Sequence, residues 1–461
     1  MIFSQIKECD LKRFITLCVL LATAVLGAQA TGRLSLEEAR QLALQNNNSY
    51  QAKLAEVEAA DWSSKAALSS FLPTLSLDGN WLYMEPAQTV MSGTTPITLN
   101  HDIRSFGFSL SQPLFLGGKI WHGYKMAQLS QEISASGLEA QKLATLTELN
   151  TLYLTLLQTQ DLQKISDMDR QSAELNLQIA QLKYDNGLLS TADYLRFKSQ
   201  LASKDVSLLQ ARTALQLSQL NLRNFLNLDY LPIADDLPDS DNDPLILALN
   251  SYDSGATQNL SAAALAAGKN NNTTLSVLEN SLELSRRSYE ISKGAFLPTL
   301  MLIGSSEFSE NGIDRYKFES SSQIILNASI PLLPQLGNYA NLQKAKFNYR
   351  KAQLEAKTAT DGILLGTEAA VLNLVSAAKQ VRASKLALDF TRQSFEQLQQ
   401  RFRMDLISPK DLLDAELMLS AARIAYSNSV YNYHKARVSL MQTIGISDAA
   451  TLDEMIFTGV K

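Results

Sequence analysis

One turn that occurs twice at a fixed distance constrains this chain more than any other feature. Tyr184-Asp185-Asn186-Gly187-Leu188-Leu189-Ser190-Thr191-Ala192-Asp193-Tyr194-Leu195 is matched 218 positions later by Phe402-Arg403-Met404-Asp405-Leu406-Ile407-Ser408-Pro409-Lys410-Asp411-Leu412-Leu413. A helical pattern leads into and out of both. Gly187 supplies the backbone freedom that ends a helix. Ser190 and Ser408 are placed to N-cap the next one, with Asp193 and Asp411 three positions on to complete capping boxes. Each stretch is the tip of a helical hairpin, and two tips in matching positions mark a duplicated chain.

The duplication extends past the tips. Phe71-Leu72-Pro73-Thr74-Leu75 returns 225 positions later as Phe296-Leu297-Pro298-Thr299-Leu300, and Asn46-Asn47 returns at the same offset as Asn271-Asn272. The offset falls from 225 to 218, so the second copy is seven residues shorter in between. A loop between strands is the place that tolerates such a loss.

After each Phe-Leu-Pro the period changes from helix to strand. Leu75, Leu77, Gly79, Trp81 and Tyr83 alternate with Thr74, Ser76, Asp78 and Asn80, and Phe106, Phe108 and Leu110 alternate with serines and Gly107. The second copy repeats this with Leu300 and Leu302, then with Ile324, Leu326, Ala328 and Ile330. Each strand has one apolar and one polar face. A soluble half-buried sheet alternates in the same way, but the lengths approach the roughly 9 to 11 residues of a tilted membrane strand.

The helices are unusually long. From Gly118 to Asp185 there are 68 residues without proline, about 100 Å of helix at about 1.5 Å per residue. Thr191–Leu226 returns from the first tip, and Ser35–Ser69 reads as one incoming helix. In the second copy Asn338–Arg403 is the long helix, with Pro409–Ile444 and Leu260–Gly294 as the shorter two. The return helices carry heptads through Tyr194, Leu201, Leu208, Leu215 and Leu222, and through Leu412, Leu419, Tyr426, Tyr433 and Leu440. The outgoing helices carry Ile165, Met168, Ser172, Leu175, Ile179 and Leu182, and Leu388, Thr391, Phe395, Leu398 and Phe402. These spacings are coiled-coil seams and imply packing, with no cofactor.

Between the copies, residues 232–259 are rich in Pro, Asp, Asn and Ser and read as a solvated connector. Asp239, Asp241 and Asp243 have the start of a calcium-loop spacing, but Pro244 and Asn250 stand where the loop needs glycine and glutamate.

The first thirty residues read as an export signal: Lys7, Lys12 and Arg13 precede the apolar run Phe14–Leu26, and Ala28-Gln29-Ala30 suits signal peptidase. A run of thirteen residues falls short of the about 20 that span a bilayer, and Cys18 lies poorly for lipidation. Cys9 and Cys18 are the chain's two cysteines, so an exported product relies on packing, without disulfides. It would carry 38 basic and 44 acidic residues, which argues against nucleic acid as a partner. No later stretch reaches 18 consecutive apolar residues, so no transmembrane helix is expected.

Catalytic signatures are missing. His101, His122 and His434 lack metal-ligand spacing. Gly117-Gly118-Lys119 is followed by Ile120 and reads as a strand-to-helix joint, not a phosphate loop. The chain is not expected to be an enzyme or to hold a cofactor.

Four amphipathic strands cannot seal themselves in lipid, because their edges leave backbone groups without partners. The barrel must be shared, two copies giving eight strands and three giving twelve. The tandem repeat, the Phe-Leu-Pro entries, Gln112-Pro113-Leu114-Phe115 with its echo Ile330-Pro331-Leu332, and the Gly-Leu-Leu-Ser-Thr-Ala-Asp tip together resemble the TolC-like outer membrane efflux proteins. The resemblance covers nearly all of the exported chain. It implies a mostly α fold with a membrane β-barrel: a homotrimer with a 12-stranded β-barrel, four strands per chain, continuous with a long periplasmic α-helical barrel. It also implies the outer membrane of a Gram-negative bacterium as location, with outer membrane lipid around the barrel. A periplasmic adaptor and an inner-membrane transporter would dock at the tips to export drugs, other small molecules or proteins.

Carried over residue by residue, the resemblance places the entrance gate at Asp193, Asp411 and Asp414, the last two on one helical face. Capping is the plainer role for Asp193 and Asp411, and the two roles are compatible. Adaptor contact would fall on Gly187, Leu188, Ser190, Leu406 and Ser408, with turn formation the plainer role for Gly187. Some relatives tether the closed tips with a tyrosine and an arginine, where this chain has Phe402 and Ile407; Arg403 and Lys410 are the candidate substitutes. Asp405 replaces the second glycine, so the two tips should differ. A soluble periplasmic coiled-coil scaffold or adaptor is the rival reading, and a stand-alone porin is disfavoured because strands would fill its chain. The expected division is a leader at 1–30, helices at 31–72, a β-hairpin at 73–113 and a long helical hairpin at 114–231 with its tip near 186–191. A linker at 232–259 precedes helices at 260–297, a β-hairpin at 298–331, a helical hairpin at 332–445 with its tip near 404–409, and a tail at 446–461.

Overall fold

The computed structural model describes residues 32–235, 243–310, 312–313, 316–332 and 336–458. The export signal at 1–30, and Asp239 and Asp241, lie outside the described residues. The first copy runs β1 (Arg33–Leu34), α1 (Leu36–Asn46), α2 (Asn48–Ser69), β2 (Thr74–Tyr83), β3 (Thr89–Ser92), β4 (Thr95–Thr98), β5 (Asp102–Leu116), α3 (Lys119–Asp185), α4 (Thr191–Leu226). After β6 (Ile233–Ala234) and α5 (Pro244–Asn250) come α6 (Ser254–Asn271), α7 (Thr273–Gly294), β7 (Thr299–Glu310), β8 (Phe318–Ser329), α8 (Leu336–Arg403), α9 (Pro409–Ile444) and α10 (Ala449–Thr458).

The incoming segments are not single helices. Each breaks at an asparagine with extended backbone, Asn47 at ψ 118° and Asn272 at ψ 104°. The Asn47 side chain accepts from the Tyr50 amide at 3.1 Å, and that of Asn272 from the Thr274 amide at 2.9 Å while donating to the Thr443 carbonyl at 2.9 Å. Asparagine competes with the helical backbone for its own hydrogen bonds, and here it wins because each break docks on the end of a return helix.

The connector is also more structured than its composition suggests. β6 pairs in parallel with β1, and Asp243 caps α5 through the Leu245 amide at 2.9 Å. Leu245, Ile246, Leu249 and Tyr252 are buried beside Leu260, Val371, Leu374 and Tyr433. The tail joins the same core, since α10 buries Leu452 and Ile456 there. The polar residues that read as solvated are caps and turns around a small apolar set. Contrary to the expectation from the sequence, α8 is by length and composition apolar enough to cross a membrane, but its buried residues between Thr367 and Val381 pack against these short helices and α9.

One four-stranded antiparallel sheet has the order β2-β5-β7-β8. Its register aligns Leu75, Leu110, Gly304 and Ile324 in one row and Leu77, Phe108, Ser306 and Ser322 in the next. On the opposite face Ser76, Ser109, Ser305 and Gln323 align, then Asp78, Gly107, Glu307 and Ser321. The apolar face is bare: Leu75 and Trp81 are each 70% exposed and Ile324 82%. The extra residues of the first copy form the β3–β4 hairpin between β2 and β5, which the second copy lacks among its described residues.

The joint from sheet to helix is tight. A Cβ on Gly117, at φ +61°, would lie 2.2 Å from the Gly294 carbonyl oxygen, so both positions need glycine where β5 turns into α3 beside the end of α7. Below it α3 packs against α4 on one side and α9 on the other, and α8 packs against α9. One flank of the protomer is β2, α2 and α4; the other is β8 and α8.

Candidate functional site

The two tips have one backbone and two chemistries. In the first, the Gly187 amide donates to the Tyr184 carbonyl at 2.9 Å and the Leu188 amide to the Lys183 carbonyl at 2.8 Å. In the second, the Asp405 amide donates to Phe402 at 3.2 Å and the Leu406 amide to Arg401 at 2.9 Å. These are the paired bonds of a Schellman ending, which needs a left-handed residue. Gly187 has φ +70° and Asp405 φ +60°. The backbones therefore correspond, and the difference between the tips lies in their side chains. Aspartate tolerates the left-handed region at a cost of about 1–2 kcal/mol.

Serine caps form at both tips, but among the described residues the reciprocal bond of a capping box closes only at the second, from the Ser408 amide to Asp411 Oδ2 at 3.2 Å. Ser190 Oγ donates to Asp193 Oδ2 at 2.7 Å and accepts from the Asp193 amide at 3.1 Å, while Arg196 Nη1 reaches Asp193 Oδ1 at 3.2 Å. Ser408 Oγ donates to Asp411 Oδ2 at 2.8 Å and accepts from the Asp411 amide at 3.2 Å. Asp414, one turn on, is exposed and has no hydrogen bond or ion pair among the described residues. No such contact joins Asp193 to Asp411 or Asp414. Leu188 (65% exposed) and Leu406 (68% exposed) project at the two ends.

What holds the tips to each other is a residue that the sequence reading missed. Lys183, near the end of α3 and buried, forms an ion pair with Asp405, and its ammonium lies 5.1 Å from the centre of the Phe402 ring. Arg403 and Lys410 make no ion pair with the described residues of the same chain. Phe197 packs on Phe402 with ring centres 5.6 Å apart, completing the junction. The available signal was Asp405 itself, a carboxylate where a glycine is easier.

Further from the tips, the seam of α3 departs from the expected one. Met168, Leu175 and Leu182 are exposed, whereas Asp169, Ala173, Asn176, Ala180 and Lys183 are buried at the same three-four spacing. Asp169 pairs with Lys204 at 3.4 Å, with Arg423 at 2.7 Å and with the Ser420 hydroxyl. Asn176 donates to Glu416 at 3.1 Å and accepts from Gln399 at 3.0 Å. Burial pushes the Glu416 carboxyl up, opposed by the Asn176 hydrogen bond. The seam between α3 and α9 is thus polar and charge-compensated, whereas Leu388, Phe395 and Phe402 on α8 are buried as the apolar pattern predicts.

Among the described residues no group of His, Cys, Asp and Glu is placed to hold a metal ion. The site offers turns, projecting leucines, carboxylates and an ion pair between a buried lysine and an exposed aspartate.

The family model described as "Outer membrane efflux protein" matches residues 39–228 and again residues 265–446, one match per repeat. The outer membrane protein TolC of Vibrio cholerae is 22% identical over 450 residues, covering 96% of this chain and 98% of that protein. The alkaline protease secretion protein AprF of Pseudomonas aeruginosa is 22% identical over 425 residues, covering 91% and 86%. Among solved structures, the CmeC outer membrane channel of Campylobacter jejuni shares the fold with a TM-score of 0.75 at 18% identity, over 92% of this chain and 90% of that one.

Proposed function

The chain belongs to the outer membrane efflux protein family, and on that premise we propose that it is a passive exit duct in the outer membrane of a Gram-negative bacterium. It serves a tripartite efflux or type I secretion system, and its relatives include both a secretion protein and a channel. The observation that carries this reading is the four-stranded sheet, whose one face bears the exposed Leu75, Leu77, Trp81, Phe108 and Ile324 and whose edge strands β2 and β8 have no outer partner among the described residues. In hydrocarbon those edges need backbone partners. Copies of the same chain supply them, the β8 flank of one meeting the β2 flank of the next, a contact that closes into a ring. Bacterial barrels start at about 8 strands, and three copies give twelve, the homotrimer of the TolC-like pattern. Leu75, Leu77, Trp81, Ile324 and Leu326 then face lipid, and the serine-rich face lines the lumen.

The same operation gathers α3 and α8 into a periplasmic tube about 100 Å long, with the tips at its entrance. Asp193, Asp411 and Asp414 line that entrance, and Asp414 contributes the carboxylate not engaged in capping. A periplasmic adaptor docks on Gly187, Leu188, Ser190, Leu406 and Ser408, and an inner-membrane transporter supplies the energy and chooses the cargo. The duct is no enzyme and needs no cofactor. The test is the mass of the particle after detergent extraction. A trimer is expected; a single chain that stays dissolved without detergent would replace the duct with a periplasmic scaffold.

A further inference from the structure

The duplication contains information about a contact that a single protomer does not display. Within one chain the first copy meets the second through α3 against α9 and β5 against β7. Turning one repeat into the next carries α3 onto α8 and α9 onto α4. The contact between neighbouring chains is then α8 of one against α4 of the other. Both helices lie on open flanks.

The internal contact has a single register. Asp161 bonds to Tyr431, Asp169 to Arg423 and Asn176 to Glu416. In each of these three pairs, spread along the seam, the residue numbers add to the same total, and the bonds of Asp169 with Ser420 and of Gln158 with Asn428 and Lys435 scatter around it as neighbouring side chains do. Moving one helix forward and the other back by the 218-residue offset leaves that total unchanged. Ala383 then falls opposite Leu209, Leu386 opposite Val206, and Phe390 opposite Ala202.

A second observation, not used to derive that register, agrees with it. On the protomer surface Val206 is 55% exposed, Leu209 66%, Leu386 49% and Phe390 67%, and Ala202 and Ala383 are exposed too. Along α8 these positions are spaced by three and four, and along α4 by four and three, which is coiled-coil spacing read in opposite directions. The sheet behaves alike. Phe106 opposite Phe308 and Phe108 opposite Ser306 map to Ile324 opposite Tyr83 and Leu326 opposite Trp81, so exposed apolar residues meet on the face already apolar.

From this we infer that neighbouring copies are joined by an apolar antiparallel coiled coil of α8 on α4, with Leu386 packed on Val206 of the next copy and Ala383 on its Leu209. The inference rests on the ring of copies proposed above and adds its register. It also gives the assembly two kinds of seam: a polar, charge-paired one inside each chain and a dry one between chains.

No cysteine follows Cys18, so introduced thiols report without background. A chain carrying Leu209→Cys and Ala383→Cys, oxidised in the detergent-solubilised particle, should run at three times its chain mass on non-reducing denaturing gels. Val206→Cys with Leu386→Cys should do the same. Leu209→Cys with Phe390→Cys, displaced by one heptad or about 10 Å, should stay at chain mass, since disulfides need Cα atoms within about 7 Å. A trimeric particle in which the displaced pair bridges, or in which neither matched pair does, overturns the register and leaves the duct intact. A particle of single-chain mass overturns both.

Discussion

The two helical hairpins share a path and differ in what they bury. Their turns share the paired backbone bonds that end a helix, a left-handed residue at the matching position and a serine cap. Along their outgoing helices, however, α3 buries Asp169, Asn176 and Lys183 where α8 has the surface residues Ala387, Ser394 and Arg401. Backbone shape after duplication is kept by short-range chemistry. Side chains diverge according to which neighbour each hairpin meets, the other half of its own chain or the open flank.

Placing one copy's residue in the other tests that contrast. The largest effect belongs to Asp169→Ala, which installs the residue of the second copy and strands Lys204 and Arg423. Breaking a buried pair in this way costs about 3–5 kcal/mol, so chemical denaturation should show a loss in that range. A loss below about 1 kcal/mol would mean that the cluster is not what joins the hairpins.

The next effect concerns acid. Burial and the neighbouring Arg437 guanidinium, opposed by Asp243, hold the His434 imidazole down to about 4. Between its ordinary value of about 6.5 and 4 the unfolded chain binds a proton that the folded chain does not. Stability therefore falls as pH drops through that window, by up to about 3 kcal/mol, and no further below it. The first copy has Gln216 at the matching place. His434→Gln should flatten the profile of unfolding midpoint against pH between 6.5 and 4, and an unchanged slope would assign the acid response to other groups.

Smaller and equal effects are expected of Ser190→Ala and Ser408→Ala, about 1 kcal/mol each, because the caps are the shared part of the comparison. Hydrogen exchange at the first turns of α4 and α9 would expose any inequality. The smallest effect on stability is that of Asp405→Gly. It relieves the left-handed strain of about 1–2 kcal/mol and removes an ion pair whose acidic partner is 57% exposed, and such pairs contribute about 0–1 kcal/mol. Its signature is functional: single-channel conductance in planar bilayers should rise, because the second tip loses its hold on the first. Unchanged conductance would show that Lys183 and Asp405 only fill space.

Where the sequence reading worked, the determinants were local. The ends of β2, α4 and α9 were legible because proline, glycine and capping serines act within a few residues. The apolar stripe on α8 was legible because its neighbours are apolar. The breaks at Asn47 and Asn272 were visible only as a repeated asparagine pair, since the choice between cap and helix depends on distant partners such as the Thr443 carbonyl. The polar seam of α3 was illegible for a related reason. Asp169 reads as a solvent-facing charge until Lys204, Ser420 and Arg423, which lie on two other helices, are brought beside it. Lys183 escaped notice because a search for apolar spacing passes over a buried cation.

Among the described residues the β3–β4 hairpin occurs once, whereas the strands of the four-stranded sheet and the long helices occur in near-duplicate pairs. In a ring of three chains the tube would look nearly six-sided to any probe blind to side chains, and the parts without a twin, α5 and α10 beside α8 and these ornaments at the outward rim, would betray the true order. Electron micrographs averaged with sixfold symmetry would sharpen the tube and smear the rim. Three bright spokes seen end-on without averaging would count the polypeptides directly.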